Sequence, residues 1–169
     1  MSDSYEHLSW SELSRRIQSK LGVFDIYTTR RAAYDGTEGE FVLVDAPDWV
    51  TVIPLVGAGA GEDGAADAEG RAGAEGATCL MVRQFRHGTE RVTLEFPAGV
   101  VGRGESPAAA AARELLEETG CRAGELIPIG SVNPNPAFMM NTVDTYVARG
   151  LDRVQEIGRA SCRERVCHR

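Results

Sequence analysis

Three glutamates crowd into the octapeptide RELLEETG, Arg113 to Gly120, at positions 114, 117 and 118. At helical spacing they share an arc of roughly 100°, close to a helix C-terminus, where the backbone dipole favours positive charge. Like charges at i, i+3 and i+4 repel by about a few tenths of a kcal/mol per pair in water, and by more where water is partly excluded. Arg113 can pair with Glu117 at i+4, but Glu114 and Glu118 have no cation at a neighbouring helical position. Hard carboxylate oxygens converging from one helix face suit Mg²⁺ or Mn²⁺, with waters completing the shell. A solvated acidic face is the other reading that the octapeptide alone permits.

The wider window separates the two. From Gly99 the chain reads GVVGRGESPAAAAARELLEETGC, which places Gly99, Glu105, Arg113, Glu114, Leu115, Glu117, Glu118, Gly120 and Cys121 at Gly-x5-Glu-x7-Arg-Glu-U-x-Glu-Glu-x-Gly-U, with U apolar. Seven fixed identities arise by chance with a probability on the order of 10⁻⁷ per starting position. The window resembles a complete Nudix box. That resemblance implies an α/β (α+β) chain of the Nudix type, an α/β/α sandwich with a mixed sheet and the box helix. It also implies that Glu114, Glu117 and Glu118 are the catalytic carboxylates and, with the backbone carbonyl of Ala98, ligate Mg²⁺ (Mn²⁺ being the alternative). Glu105 and Arg113 would pair to brace the loop against the helix, and Gly99 and Gly120 would permit tight backbone turns. In such a site metal neutralises diphosphate oxygens and makes a water more acidic for in-line attack on phosphorus.

Upstream, VRQFRHGTERVTLEFPAG resembles the strand and turn that precede the box in the branch cleaving ADP-ribose and other nucleoside diphosphate sugars, and the likeness spans roughly Val23 to Leu151. Pro136, sixteen residues after Gly120, is a further marker of that branch. By this resemblance Arg86 contacts the substrate's phosphates or terminal ribose, and Glu95 accepts from a ribose. The implied reaction is hydrolysis of a nucleoside diphosphate sugar, foremost ADP-ribose, to a nucleoside monophosphate and a sugar phosphate. The implied assembly is a homodimer through N-terminal strands, within Val23 to Val44. Two alternatives stand beside it: a Nudix module that binds a nucleotide without hydrolysing it, and a truncated, inactive enzyme. The branch often takes a further glutamate from a loop well after the box. Here the count reaches Glu164, to which no role is carried over.

These residues need elements to position them. Ser106 is a good N-cap, Pro107 suits the first helical position, and Gly120 suits the C-terminal stop, so a helix is expected between them. Ala108, Ala111, Ala112 and Leu115 form its apolar stripe, with the glutamates turned elsewhere. Trp10, Leu13, Ile17 and Leu21 have helical spacing and predict an N-terminal helix over Ser9 to Leu21. VFDIYTTR and EFVLVDA read as strands joined by a turn at Tyr34-Asp35-Gly36, and WVTVIPLV, TCLMVRQF, RVTLEF, LIPIGSV and TVDTYVA continue the β pattern. Pro54 places WVTVIPLV at an edge or a bulge. His87 reads as a turn residue. NPNPAFMMN, Asn133 to Asn141, reads as a proline-stiffened loop.

Composition sets outer limits. A net charge of −7 with seventeen arginines and one lysine opposes a broad nucleic-acid or membrane surface. A small anionic substrate remains compatible, given metal ions or a few placed arginines. No apolar run is long enough to span a bilayer and no secretory signal opens the chain, so the expected compartment is the cytoplasm. The four cysteines fit reduced thiols, with Cys79 and Cys121 as small core residues. Residues 57–76, GAGAGEDGAADAEGRAGAEG, offer nothing to pack and are expected to be a disordered insertion. The segment EIGRASCRERV from Glu156 resembles one reading frame of a sequencing adapter. Residues 1–155 are therefore expected to form a single Nudix hydrolase domain, followed by a non-native tail over 156–169.

Overall fold

In the computed structural model, the described residues are 5–56, 78–155 and the backbone of 163–168. The expected insertion at 57–76 lies outside them, as does most of the expected tail. The contacts divide the chain into two compact units, one of Met1–Asp48 with Val132–Thr142, the other of Trp49–Ser131 with Val143–Arg169.

The first unit is a three-stranded antiparallel sheet of β1 (Trp10–Leu21), β2 (Phe24–Ala33) and β3 (Glu38–Asp45), in that order. The N-terminal segment is thus a strand and not the helix its spacing predicts. The reason is visible in its register with β2. Pairing skips one residue between Glu12 and Ser14 and another between Ile17 and Ser19. Each bulge inserts a residue and breaks the alternation of faces. With one bulge between them, Trp10 and Ile17 stand on the same face seven residues apart, a separation that also suits a helix. The Tyr34 to Gly36 turn is present, with Gly36 at φ +83 and the Thr37 N–H donating to Asp35 Oδ1 at 2.9 Å. The loop Asn133 to Asn141 belongs to this unit. It is stitched to β3 at one residue, where the Val44 N–H donates to Phe138 O at 2.8 Å and Val44 O accepts from the Met140 N–H at 3.0 Å.

The second unit holds a seven-stranded sheet. Its main path runs β12 (Arg163–His168), β5 (Thr78–Arg86), β4 (Trp49–Val56), β10 (Val143–Arg149), β9 (Glu125–Val132), with β6 (Arg91–Glu95) on β5 and β7 (Ala98–Val100) on β4. β4 runs parallel to β10 and antiparallel to β5 and β7, so the sheet is mixed, the α+β class expected from the sequence. β12 falls within the sequence expected to be a tail; its backbone pairs with β5 from Arg163↔Gln84 to His168↔Cys79. β8 (Cys121–Arg122) and β11 (Asp152–Arg153) make a separate short pair. β4 lies inside the sheet, so the edge expected from Pro54 is not found. On the side shared by β7 and β5, pairing jumps from Thr51↔Ala98 to Leu55↔Cys79, and Pro54 falls in the gap, where no ladder donor is required of it.

One helix, α1 (Pro107–Thr119), covers this sheet among the described residues. It starts and stops as the sequence dictates. Ser106 Oγ accepts from the Ala109 N–H, Pro107 opens the first turn, and Gly120 closes it in the left-handed region at φ +70. Val50 and Val52 of β4, Ala148 of β10 and Ala110, Ala111 and Leu115 of α1 form the buried cluster. Cys121 is buried and Cys79 half-buried, both as free thiols. The packed face is rotated from the expected stripe. Ala108 and Ala112 are exposed, while Glu114 and Glu118 turn inward beside Leu115. None of the described helices is long and apolar enough to cross a membrane.

Gly120 also meets the chain again. Its carbonyl accepts from Val154 N at 3.0 Å and Gln155 N at 3.2 Å, and a Cβ here would overlap the Gln155 carbonyl oxygen. Gly120→Ala therefore combines a left-handed backbone penalty of roughly 1–2 kcal/mol with displacement of Gln155. Urea unfolding should give a loss above that of Ser106→Ala, itself expected near about 1 kcal/mol for a lost cap.

Candidate active site

β7 and the start of α1 are joined by a loop whose backbone is tied at both ends. β7 is held against β4 through Trp49↔Val100, Val50↔Gly99 and Thr51↔Ala98. A turn then folds the chain back, with the Glu105 N–H donating to Gly102 O at 2.9 Å and Gly104 at φ +80. Glu105 is the hub of this loop. Its Oε2 accepts from the Gly102 N–H at 2.8 Å and from Arg113 Nη2 at 2.9 Å, and its Oε1 accepts from Arg113 Nε at 2.9 Å. This is a two-point fork between guanidinium and carboxylate, the geometry that makes arginine pairs specific. The Arg113 guanidinium, and after it the Gly102 N–H, pull the Glu105 carboxyl down from 4.5 to about 2. Glu105 and then Glu114 hold the Arg113 guanidinium firmly in its charged form.

Arg113 reaches further than helical spacing suggests. Nη2 donates to Val100 O at 3.0 Å, and Nη1 donates to Glu114 Oε1 at 2.7 Å and lies 3.4 Å from Glu117 Oε2. Glu114 therefore does have a cation, one position before it, because the fork on Glu105 bends the guanidinium back over the helix start. Glu114 is 9% exposed and Glu118 3% exposed, whereas the Glu117 side chain is 58% exposed. The three glutamates divide accordingly. Glu114 and Glu118 are one helical turn apart against β7, and Glu117 stands at the solvent side of Arg113.

Gly99 is required by this packing. A Cβ there would overlap the Glu114 carboxylate, so the missing side chain is what admits the carboxylate beside the strand. One residue earlier, the Ala98 N–H donates to Glu118 Oε2 at 3.3 Å. Two inward carboxylates lie against the same strand, Glu114 paired with Arg113 and Glu118 accepting from the Ala98 N–H. Their hard, anionic oxygens are donors that fit a divalent hard cation. Among the described residues no three Asp, Glu, His or Cys side chains gather as a complete ligand set; Glu114, Glu118 and the Ala98–Gly99 backbone are what the fold brings together.

Arg86 and Glu95 occupy the hairpin of β5 and β6. Arg86 Nε donates to Glu95 Oε1 at 2.9 Å and Oε2 at 3.2 Å, and Nη2 donates to Oε2 as well. The Arg86 guanidinium is held in its charged form, chiefly by Glu95 and with a further contribution from the field of Glu118. Their pairing is not evident from the sequence, in which they are nine residues apart. Thr93 is not singled out there either; its hydroxyl reaches Glu95 Oε1, and its place two residues before Glu95 on a strand, hence on the same face, is the available signal. His87 lies in the turn after β5. Pro136 belongs to the first unit, where it lines a cavity of about 370 Å³ with Trp10, Arg15, Phe41 and Met139 among its walls.

Comparison with known proteins adds three findings. The NUDIX domain profile matches residues 66–164. Over 77 residues the chain is 40% identical to the ADP-ribose pyrophosphatase of Bacillus subtilis (strain 168), covering 46% of this chain and 42% of that protein. Over 75 residues it is 41% identical to the ADP-sugar pyrophosphatase of Mus musculus, covering 43% of this chain and 34% of that one. The chain thus aligns with about two-fifths of the length of such curated relatives. A crystal structure of an ADP compounds hydrolase superposes with a TM-score of 0.73 at 21% identity, over 94% of this chain and 77% of that chain, a likeness of fold.

The Glu105 fork has a pH signature. Because its folded value of about 2 lies below the ordinary 4.5, the stabilisation is fully present above the ordinary value and is lost as pH falls through the folded one. Glu105→Gln removes it at all pH values. The stability difference between wild type and E105Q, followed by urea unfolding, should hold steady above about pH 5 and shrink as the pH is lowered toward 2.

Proposed function

The chain belongs to the NUDIX domain family, and on that premise we propose that it hydrolyses a nucleoside diphosphate sugar, foremost ADP-ribose, to a nucleoside monophosphate and a sugar phosphate. The observation that carries this reading is the pair of inward carboxylates, Glu114 and Glu118, laid against Ala98 and Gly99 and held in place by the Glu105–Arg113 fork. The names of the aligned relatives support the substrate class.

Glu114, Glu117 and Glu118 with the Ala98 carbonyl would hold Mg²⁺, or Mn²⁺ in its place. A cation bound there neutralises diphosphate oxygens and acidifies water for attack on phosphorus. The remaining tasks fall to the chain itself. Arg113, fixed by Glu105, keeps Glu114 from turning to solvent and sets its direction. Glu118 is screened from water by β7, so its negative charge acts at short range with little dielectric loss. Arg86 supplies positive charge for the substrate's phosphates or terminal ribose, and Glu95 supplies an acceptor for a ribose hydroxyl.

We also propose that two copies associate through the N-terminal strands. Val23, Phe24, Phe41 and Val42 lie exposed within that segment, an apolar surface of the kind that partners cover.

Incubation of the purified protein with ADP-ribose, GDP-mannose and UDP-glucose in the presence of Mg²⁺, following monophosphate release, tests the activity. ADP-ribose is expected to turn over fastest; no turnover of any of the three ends the reading. Glu118→Gln should lower kcat by roughly a hundredfold or more while far-UV circular dichroism is unchanged. Sedimentation equilibrium should give twice the chain mass, and Val42→Glu should shift it toward the monomer.

A further inference from the structure

The β5–β6 hairpin carries a polar row whose middle member has no part in the reading so far. In its register Val82, Gln84 and Arg86 stand opposite Glu95, Thr93 and Arg91, so these six side chains share one face. Arg86 and Glu95 are therefore four residues out of register, roughly 13 Å along the strand. Their ion pair requires the Arg86 side chain to lie flat along the face and pass the Gln84–Thr93 row. Nothing else in the hairpin draws it that way. Its direct neighbour across the strands is Arg91, a like charge, and beyond β5 lies the exposed turn. Without a fixed acceptor at the far end, the guanidinium gains more from water.

Thr93 is built into the middle of this path. Its Oγ1 lies 3.1 Å from Gln84 O and within a short hydrogen bond of Glu95 Oε1. A hydroxyl has one proton to give, and the charged carboxylate is the stronger acceptor. The Thr93 side chain is itself stiff at χ1, because its Cβ is branched. Glu95, by contrast, has three rotatable bonds and a partly exposed side chain. The Thr93 hydroxyl on Oε1 restrains the carboxylate plane with which its two oxygens face Arg86.

We propose that Thr93 is a positioning residue for substrate binding, its hydroxyl fixing the Glu95 carboxylate so that Glu95 stations the Arg86 guanidinium for the anionic part of the substrate. The proposal rests on the reading of this site as a diphosphate hydrolase. It assigns Thr93 to affinity and leaves the chemistry at Glu114 and Glu118 unaltered.

Thr93→Val keeps the branched shape and the strand preference while removing the hydroxyl, and Thr93→Ser returns it. For ADP-ribose with Mg²⁺, T93V should raise KM about tenfold, the effect of losing one hydrogen bond to a charged group, with kcat within about twofold of wild type. T93S should recover most of the loss. In the substrate-free protein, the ¹⁵N-resolved Arg86 Nε–H resonance should be sharp and slow to exchange in wild type and T93S, and broadened or absent in T93V. An unchanged KM in T93V, a fall in kcat alone, failure of T93S to recover, or an Arg86 resonance indifferent to the hydroxyl would each overturn the assignment. Should the wild type hydrolyse no diphosphate, the functional reading fails on that result, while the Arg86 resonance still decides whether Thr93 holds the pair.

Discussion

Two carboxylates taken out of water on successive turns of one helix constrain everything around them. Desolvating a charge costs several kcal/mol unless partners replace the lost hydration. The partners here come from three places in the chain. Arg113 reaches Glu114, the Ala98 N–H reaches Glu118, and the bare Cα of Gly99 lets the first of these carboxylates come up against the strand. Each depends on a further restraint. Arg113 is directed by Glu105, which is directed in turn by Gly102, and β7 is held in register by β4. The Ser106 cap and the Gly120 stop then fix where the helix begins and ends, and hence which of its residues face β7. Packing alone would favour apolar residues where Glu114 and Glu118 stand, which is why the proposed function is placed there.

Much of this was legible in the sequence, because the relevant signals are local. Caps, the Pro107 start and the Gly120 stop act within a turn of the residues that carry them, and α1 runs between them as expected. The hairpins of β2–β3 and β5–β6 follow from alternation and turn chemistry. The misreadings share a different cause. Whether Trp10, Leu13, Ile17 and Leu21 lie on a helix or on a doubly bulged strand depends on the partner β2, which spacing along one segment does not reveal. Pro54 reads as an edge signal until the gap between β7 and β5 is seen. The inward turn of Glu114 and Glu118 was hidden for the same reason: polarity argues for the outside, and only the strand lacking a Cβ overrides it. Arg113 on Glu114 and Thr93 on Glu95 are likewise set by how a third residue bends the first.

The candidate site combines two kinds of restraint. At α1 the carboxylates are enclosed and short on freedom, which suits groups that must present charge in a fixed direction. At the β5–β6 hairpin, Arg86 is long, half-exposed and held chiefly through Glu95, which suits a group that exchanges one anion for another. The exchange is between like interactions, because a substrate phosphate would offer Arg86 what Glu95 already offers. On the proposed reading, affinity at this end is a difference between two ion pairs, and it is sensitive to anything that alters the resident one.

The stitching of the Asn133–Asn141 loop onto Val44 also bears on how the small sheet can meet other chains. Val44 gives both its N–H and its C=O to that loop, so the outer border of β3 is already capped one residue before its C-terminal end. The opposite border, β1, is kinked twice where pairing skips Leu13 and Gln18. The kinked border lacks the long, straight row of free amides that a foreign strand needs as a template, and the capped end shortens the row on the other. Cross-chain ladder growth, the usual route to fibrils from exposed strands, is thereby blunted at the β1 border.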